Sequence, residues 1–144
     1  MVDCFGRLIL EQHTRGGCLC GAVKFRISGD FESFFLCHCS RCRKDSGSAH
    51  SANLFSSSSS ITWLLGEENA KIFKLPGTRH TKCFCTICGS ALPFYQSNGD
   101  MLIVPAGSLD SPVRMRPNAH ICFSMRANWD NGLASLEKID ELPS

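Results

Sequence analysis

What the chain lacks narrows the field first. No apolar run approaches the roughly 20 residues a helix needs to cross a bilayer, so no membrane partner is expected. The opening stretch MVDCFGRLIL carries Asp3 and has no apolar core of the length a secretion signal requires. A cytoplasmic location is the resulting expectation. An excess of charge of one sign is also missing. Fifteen Lys and Arg face 13 Asp and Glu, for a formal net charge of +2. Charges so balanced and so scattered do not point to nucleic acid. Finally, no long stretch carries a strong helical period.

Cysteine, by contrast, is abundant. The chain has 144 residues and ten cysteines. That length fits one domain over residues 1–144, and a domain of this size can bury a core without cross-links. The thiols are therefore not needed merely to make it fold. In a reducing compartment, clustered cysteines bind metal or do chemistry, and disulfides are the competing reading.

The apolar pattern is that of short strands. Ala22 to Ser28 alternates, with Val23, Phe25 and Ile27 apolar and Lys24, Arg26 and Ser28 polar. Further strands are expected at Ser51–Phe55, Ile61–Leu65, Lys71–Leu75, Thr81–Phe84, Ala91–Tyr95, Met101–Val104 and His120–Met125. Short helices are expected at Arg41–Ser46 and in part of Ala134–Leu142. The five serines Ser56–Ser60 read as a solvated loop between strands. The class is mostly β.

Eight cysteines fall in three groups: Cys18 and Cys20; Cys37, Cys39 and Cys42; Cys83, Cys85 and Cys88. In Cys-x-Cys on extended backbone both side chains share a face, so two sulfurs can share an ion. Cys-x-x-Cys in a tight turn gathers two sulfurs around one ion. Gly89, directly after Cys88, suits the positive φ of such a turn. Thiolate-rich tetrahedral sites favour Zn²⁺, with iron–sulfur clusters as the competitor. The isolated Cys4 and Cys122 read as small buried hydrophobes. If Cys37 and Cys39 face a metal, His38 between them faces away.

These motifs, in this order, resemble the glutathione-dependent formaldehyde-activating enzymes and their centromere-protein-V-like relatives. The resemblance runs from Gly17 to about Pro143. It rests on Gly17-Cys18-Leu19-Cys20-Gly21-Ala22-Val23, on Cys37-His38-Cys39-Ser40-Arg41-Cys42-Arg43-Lys44 and on Phe84-Cys85-Thr86-Ile87-Cys88-Gly89-Ser90. Gly107-Ser108-Leu109-Asp110, then His120-Ile121 and Trp129, follow in order. The resemblance implies a zinc-stapled, β-tent-like single domain of short antiparallel strands. It implies two zinc ions per chain: a closed structural site of Cys18, Cys20, Cys85 and Cys88, and an open, catalytic site of Cys37, Cys39 and Cys42. Three departures stand out. Cys83 is an extra thiol that could serve as a fourth ligand to the open site. Arg126 and Asn128 stand where relatives often carry lysine and proline. The ending Asp140-Glu141-Leu142-Pro143 follows a longer spacer than in the family.

The activity implied is that of a carbon–sulfur lyase joining formaldehyde, or a related electrophile, to glutathione or another small thiol. Three thiolates leave a zinc ion a muted Lewis acid but a good acceptor of a further sulfur, whose proton is lost on binding. Glutathione brings two carboxylates, for which Arg43, Lys44 and Arg126 are the candidate partners. The competing class is a non-catalytic, zinc-stabilised interaction module. A homo-oligomer is compatible with either.

Overall fold

The computed structural model describes Val2, residues 4–6 and residues 12–143. Most of the opening stretch, Asp3 included, lies outside the described residues. Among the described residues there are eleven strands, one α-helix and four short 3₁₀ turns. Among the described residues no helix is long and apolar enough to cross a membrane.

The strands make three sheets. The first contains β1 (His13–Gly17), β2 (Lys24–Ser28) and β5 (Ser60–Leu65), in the order β1-β2-β5. β2 forms because its alternation sends Phe25 and Ile27 inward, where both are fully buried. Trp63 and Phe25 pack in a T-shaped pair, with ring centroids 6.1 Å apart. β1 had no hydrophobic signature and was not expected. It forms by pairing in full register with β2. At Gly16 a Cβ atom would overlap the Ser108 carbonyl oxygen and the Phe25 ring, so only glycine lets β1 approach that closely.

The second sheet has the order β11-β3-β4-β10-β9. It contains β3 (Ser33–Cys37), β4 (Ser51–Ser56), β9 (Phe94–Tyr95), β10 (Leu102–Pro105) and β11 (Ala119–Ile121). All its pairs are antiparallel except β11 with β3, which is parallel. The third sheet is β6 (Ala70–Lys74), β7 (Thr81–Cys85) and β8 (Ala91–Leu92). Pro93 lacks an N–H for the ladder and lies between β8 and β9, which divides the expected strand Ala91–Tyr95 between two sheets. One hydrophobic cluster joins Val23, Phe25, Ile27, Leu54, Leu92, Leu102 and Val104 to Cys18, Cys83 and Cys85.

The helix α1 (Ser40–Ser46) is the one expected at Arg41–Ser46. Its N-cap is Cys39, whose sulfur accepts the Cys42 N–H at 3.4 Å. Three expectations need correction. The strand expected over His120–Met125 ends at Ile121, and Phe123–Met125 is a 3₁₀ turn. Its apolar residues gave a run but no alternation. The helix expected within Ala134–Leu142 is one 3₁₀ turn at Leu133–Ser135, because Leu136 and Ile139 remain exposed with nothing to pack against. The serine run does join β4 to β5, but it is not a freely solvated loop. Ser56 and Ser59 are buried and donate to the Asp30 carbonyl at 2.7 and 2.8 Å. Glu32 accepts from the Ser57 N–H and hydroxyl.

A candidate metal centre

Two sets of cysteine sulfurs come together. Cys18, Cys20, Cys85 and Cys88 have their sulfurs within 4.8 Å of one another, and so do Cys37, Cys39 and Cys42. His38 belongs to neither set.

The four-cysteine set is built by two loops. After β1, the Cys18 N–H bonds the Val23 carbonyl and the Val23 N–H bonds the Cys18 sulfur, which folds residues 18–23 into a tight knuckle. After β7, Gly89 adopts φ 77° and donates to the Cys85 carbonyl at 2.8 Å, so Cys88 turns back beside Cys85. Ser90 joins the two loops. Its hydroxyl accepts the Leu19 N–H at 2.9 Å and lies 3.3 Å from the Cys88 sulfur. The Cys18–Cys20 and Cys20–Cys85 sulfur separations are 3.5 and 4.0 Å. A tetrahedron with metal–sulfur bonds of ~2.3 Å has edges of ~3.8 Å, so these thiols fit a zinc ion. The set couples the first sheet to the third.

Hydrogen bonds prepare part of this set for ionisation. The Ser90 hydroxyl and backbone N–H hold the Cys88 thiol down at about 5. Cys20 moves the other way. The Ala22 N–H pulls it down, but desolvation and the three neighbouring thiols outweigh that and push it up to about 11.

The three-cysteine set lies where β3 runs into α1. Cys37 is the last residue of β3, Cys39 caps α1 and Cys42 sits in its first turn. The Ser46 and Ser51 hydroxyls both donate to the Cys42 carbonyl, at 2.8 and 3.1 Å, which fixes that turn against β4. Burial pushes all three thiols up. At Cys39 the Cys42 N–H and the neighbouring thiols overcome it and bring the thiol below its ordinary value, while Cys37 and Cys42 stay raised. Cys37 and Cys42 line a cavity of about 360 Å³. That volume is at the small end of ligand pockets. A larger cavity of about 880 Å³, walled by His13, Asp30 and Arg114 among others, contains no cysteine.

Charged groups that spacing alone did not single out line the thiol cavity: Asp45, Arg79, His80 and Lys82. Asp45 sits on α1, three residues beyond Cys42. Its Oδ2 accepts from His80 Nε2 at 2.9 Å and its Oδ1 pairs with Lys82 Nζ at 2.6 Å. The sequence held one signal for them: Asp45 follows Cys42 at the i, i+3 spacing that shares a helix face.

The expected cations lie elsewhere. Arg43 and Lys44 are on α1 but are not among the cavity's lining residues. Arg126 lies over the Phe123 ring at 4.4 Å and donates to Asn131 Oδ1 and the Phe123 carbonyl. Cys83 lines the cavity yet joins neither sulfur set. It is 2% exposed, and burial pushes its thiol up to about 11. Cys4 and Cys122 are exposed, against the expectation of burial. Cys122 adopts φ 52° at the start of a 3₁₀ turn, which takes it off the strand that would have buried it. Asp140 to Pro143 are exposed.

His38 does face away from the sulfurs. It is 1% exposed, with Nε2 2.8 Å from His120 Nδ1 and Nδ1 2.9 Å from Asp130 Oδ2, the latter contact short of hydrogen-bond alignment. The His50 and Phe123 rings pack on it with centroids 5.1 Å away.

Comparison with known proteins agrees with this geometry. The profile of the glutathione-dependent formaldehyde-activating enzyme family matches residues 13–125. A Halomonas elongata protein named for the same family is 32% identical over 124 residues, covering 79% of this chain and 77% of the relative. A crystal structure of a Rhodobacter sphaeroides protein shares the fold, with a TM-score of 0.55 at 21% identity, over 74% of this chain and 98% of that one. The chain belongs to the glutathione-dependent formaldehyde-activating enzyme family.

Proposed function

We propose that this protein joins formaldehyde, or a closely related electrophile, to the sulfur of glutathione or another small thiol, as a carbon–sulfur lyase working in the synthetic direction. The observation that carries the reading is the contrast between the two sulfur sets. One has four cysteines, and the other has three, two of which line a cavity. Closed sites are structural, while reactive sites keep a position for water or substrate. Cys83, buried and outside the set, supports the open reading over the interaction-module alternative.

Cys18, Cys20, Cys85 and Cys88 would hold a structural zinc ion, and Cys37, Cys39 and Cys42 a second one. A zinc ion at the three-cysteine set would supply a place for a thiol sulfur and favour its ionised form. The chain's own groups do the rest. Ser46 and Ser51 hold the Cys42 turn. Phe55, Leu92, Phe94 and Ile103 give the cavity apolar walls. Arg79, exposed at the same cavity, offers a cation to a substrate carboxylate. Arg43, Lys44 and Arg126, named in the sequence as cations for the carboxylates of glutathione, would have to act from outside this lining.

The test is calorimetry of the zinc-replete protein with glutathione and with S-methylglutathione. S-methylglutathione keeps both carboxylates but cannot become a thiolate. Glutathione is expected to bind, at least about tenfold more tightly than its methylated analogue, and folded Cys37→Ala is expected to lose that preference. Equal affinity for both ligands would remove the sulfur from the recognition and overturn the reading.

A further inference from the structure

We propose that Asp45 and His80 form a proton-shuttling dyad for the thiol addition, with His80 the catalytic acid–base and Asp45 its positioning residue; this rests on the thiol–electrophile reading above. Nothing in the family match assigns either residue.

The geometry carries it in three steps. First, both residues line the same 360 Å³ cavity as Cys37 and Cys42, although they come from different parts of the chain. Asp45 is brought there by α1, and His80 by the turn before β7. Second, a carboxylate oxygen can only accept, so the hydrogen in the 2.9 Å contact with Asp45 Oδ2 belongs to His80 Nε2. The neutral imidazole then carries its lone pair on Nδ1. Third, no hydrogen bond among the described residues occupies that Nδ1, while the His80 backbone is fixed by its N–H to Thr78 Oγ1 at 3.1 Å. A ring with one nitrogen anchored and the other available, beside a site for a reacting thiol, is the arrangement general acid–base catalysis needs.

Other charged and titratable groups face the same space. They are Cys37 from β3, Cys42 from α1, Arg79 from the turn, and Lys82 and Cys83 from β7. Lys82 is committed to Asp45 Oδ1 at 2.6 Å and also approaches the Asp45 carbonyl at 3.5 Å. It holds the carboxylate in place while its other oxygen holds His80.

The chemistry balances without a further reactant. His80 Nδ1 takes the proton of the incoming thiol, leaving an electron pair on sulfur. That pair forms the carbon–sulfur bond to formaldehyde, and the carbonyl π pair moves to oxygen. The oxygen then takes the proton back from His80 Nδ1. The product is the S-hydroxymethyl thioether, nothing is oxidised or reduced, and the ring returns to its starting state. The reverse direction uses the same two proton transfers.

Exchange NMR on an equilibrium mixture of glutathione, formaldehyde and adduct measures the enzyme-dependent interconversion rate, and calorimetry measures glutathione binding in parallel. Zinc content and a circular dichroism spectrum confirm that each variant is folded and loaded. His80→Gln is expected to lower the enzyme-dependent rate about 100-fold while the glutathione Kd stays within about threefold of wild type. Added imidazole is expected to restore part of the rate to His80→Ala. Asp45→Asn is expected to lower the rate about tenfold and to shift its pH profile, since the ring loses its anionic partner. A His80→Gln protein with undiminished rate overturns the proposal, and so does one that loses glutathione affinity but keeps its rate. Failure of the underlying reading looks different: wild-type protein that gives no enzyme-dependent rate, or folded Cys37→Ala that keeps the full rate, overturns the thiol-addition function and the dyad with it.

Discussion

Ser90 touches both loops of the four-cysteine set with one oxygen, and that fixes how the set responds to acid. Its hydroxyl and N–H hold the Cys88 thiol at about 5, against an ordinary value of 9.0. The folded value is the lower one. The stability Cys88 contributes is therefore present above the ordinary thiol range and lost as pH falls through about 5. Protons compete with metal for the same sulfur. Ser90→Ala removes the bond that keeps the proton off, so half-release of zinc from this set should move to a higher pH. A chromophoric chelator followed through an acid titration reads this. An unchanged midpoint would mean that Ser90 only links the loops. At this scale the sequence was most legible where spacing alone dictates geometry. Spacing grouped eight thiols, and seven of them gather into two sulfur sets, while Cys83, spaced Cys-x-Cys from Cys85, joins neither. It was least legible for Asp45, His80 and Lys82, because the contacts that join them span 35 and 37 residues of sequence.

β1 and β3 show why elements can hide. β1 reads His13-Thr14-Arg15-Gly16-Gly17, with no apolar side chain to alternate, and the residue it buries is a glycine. Hydropathy has nothing to report there, and pairing with β2 supplies the strand. β3 reads Ser33-Phe34-Phe35-Leu36-Cys37, a short apolar run in which Phe34 enters the core while Phe35 packs on Phe55 across the sheet, centroids 5.9 Å apart. A run apolar on both faces carries no period to distinguish strand from helix. The strands that were legible, such as β2 and β5, each have one face inside and one outside. Gly16 gives the test of this level. Gly16→Ala forces a methyl group against the Ser108 carbonyl and the Phe25 ring, and overpacking of this kind costs about 1–3 kcal/mol. Urea unfolding of the zinc-loaded protein should show a lower midpoint with an unchanged slope. A variant as stable as wild type would mean that the first sheet can move away from Ser108.

In the molecule as a whole, the two sulfur sets hold different things together. Cys18, Cys20, Cys85 and Cys88 couple the first sheet to the third across 65 residues of chain between Cys20 and Cys85. Cys37, Cys39 and Cys42 lie within one β-strand-to-helix junction and bridge nothing distant. Loss of the first set should therefore be global. A structural zinc contributes on the order of 10–16 kcal/mol, which rivals or exceeds the roughly 5–15 kcal/mol by which a domain is stable. Cys88→Ala should unfold or aggregate, and Cys42→Ala should stay folded and keep one zinc ion. Thermal melts with metal analysis compare them, and identical melts would show that the two sets do not differ in this way. The family resemblance reached this division of labour from motif order, while the charged wall of the cavity needed the fold.

The account turns on the three-cysteine set being an open zinc site that takes a substrate sulfur. Anomalous diffraction at the zinc edge, from crystals of the zinc-replete protein grown with glutathione, tests this most directly. It should show two ions per chain, one held by Cys18, Cys20, Cys85 and Cys88, the other by Cys37, Cys39 and Cys42 with the glutathione sulfur as its fourth ligand. A single ion, iron in place of zinc, or a fourth protein side chain closing the second site would contradict it.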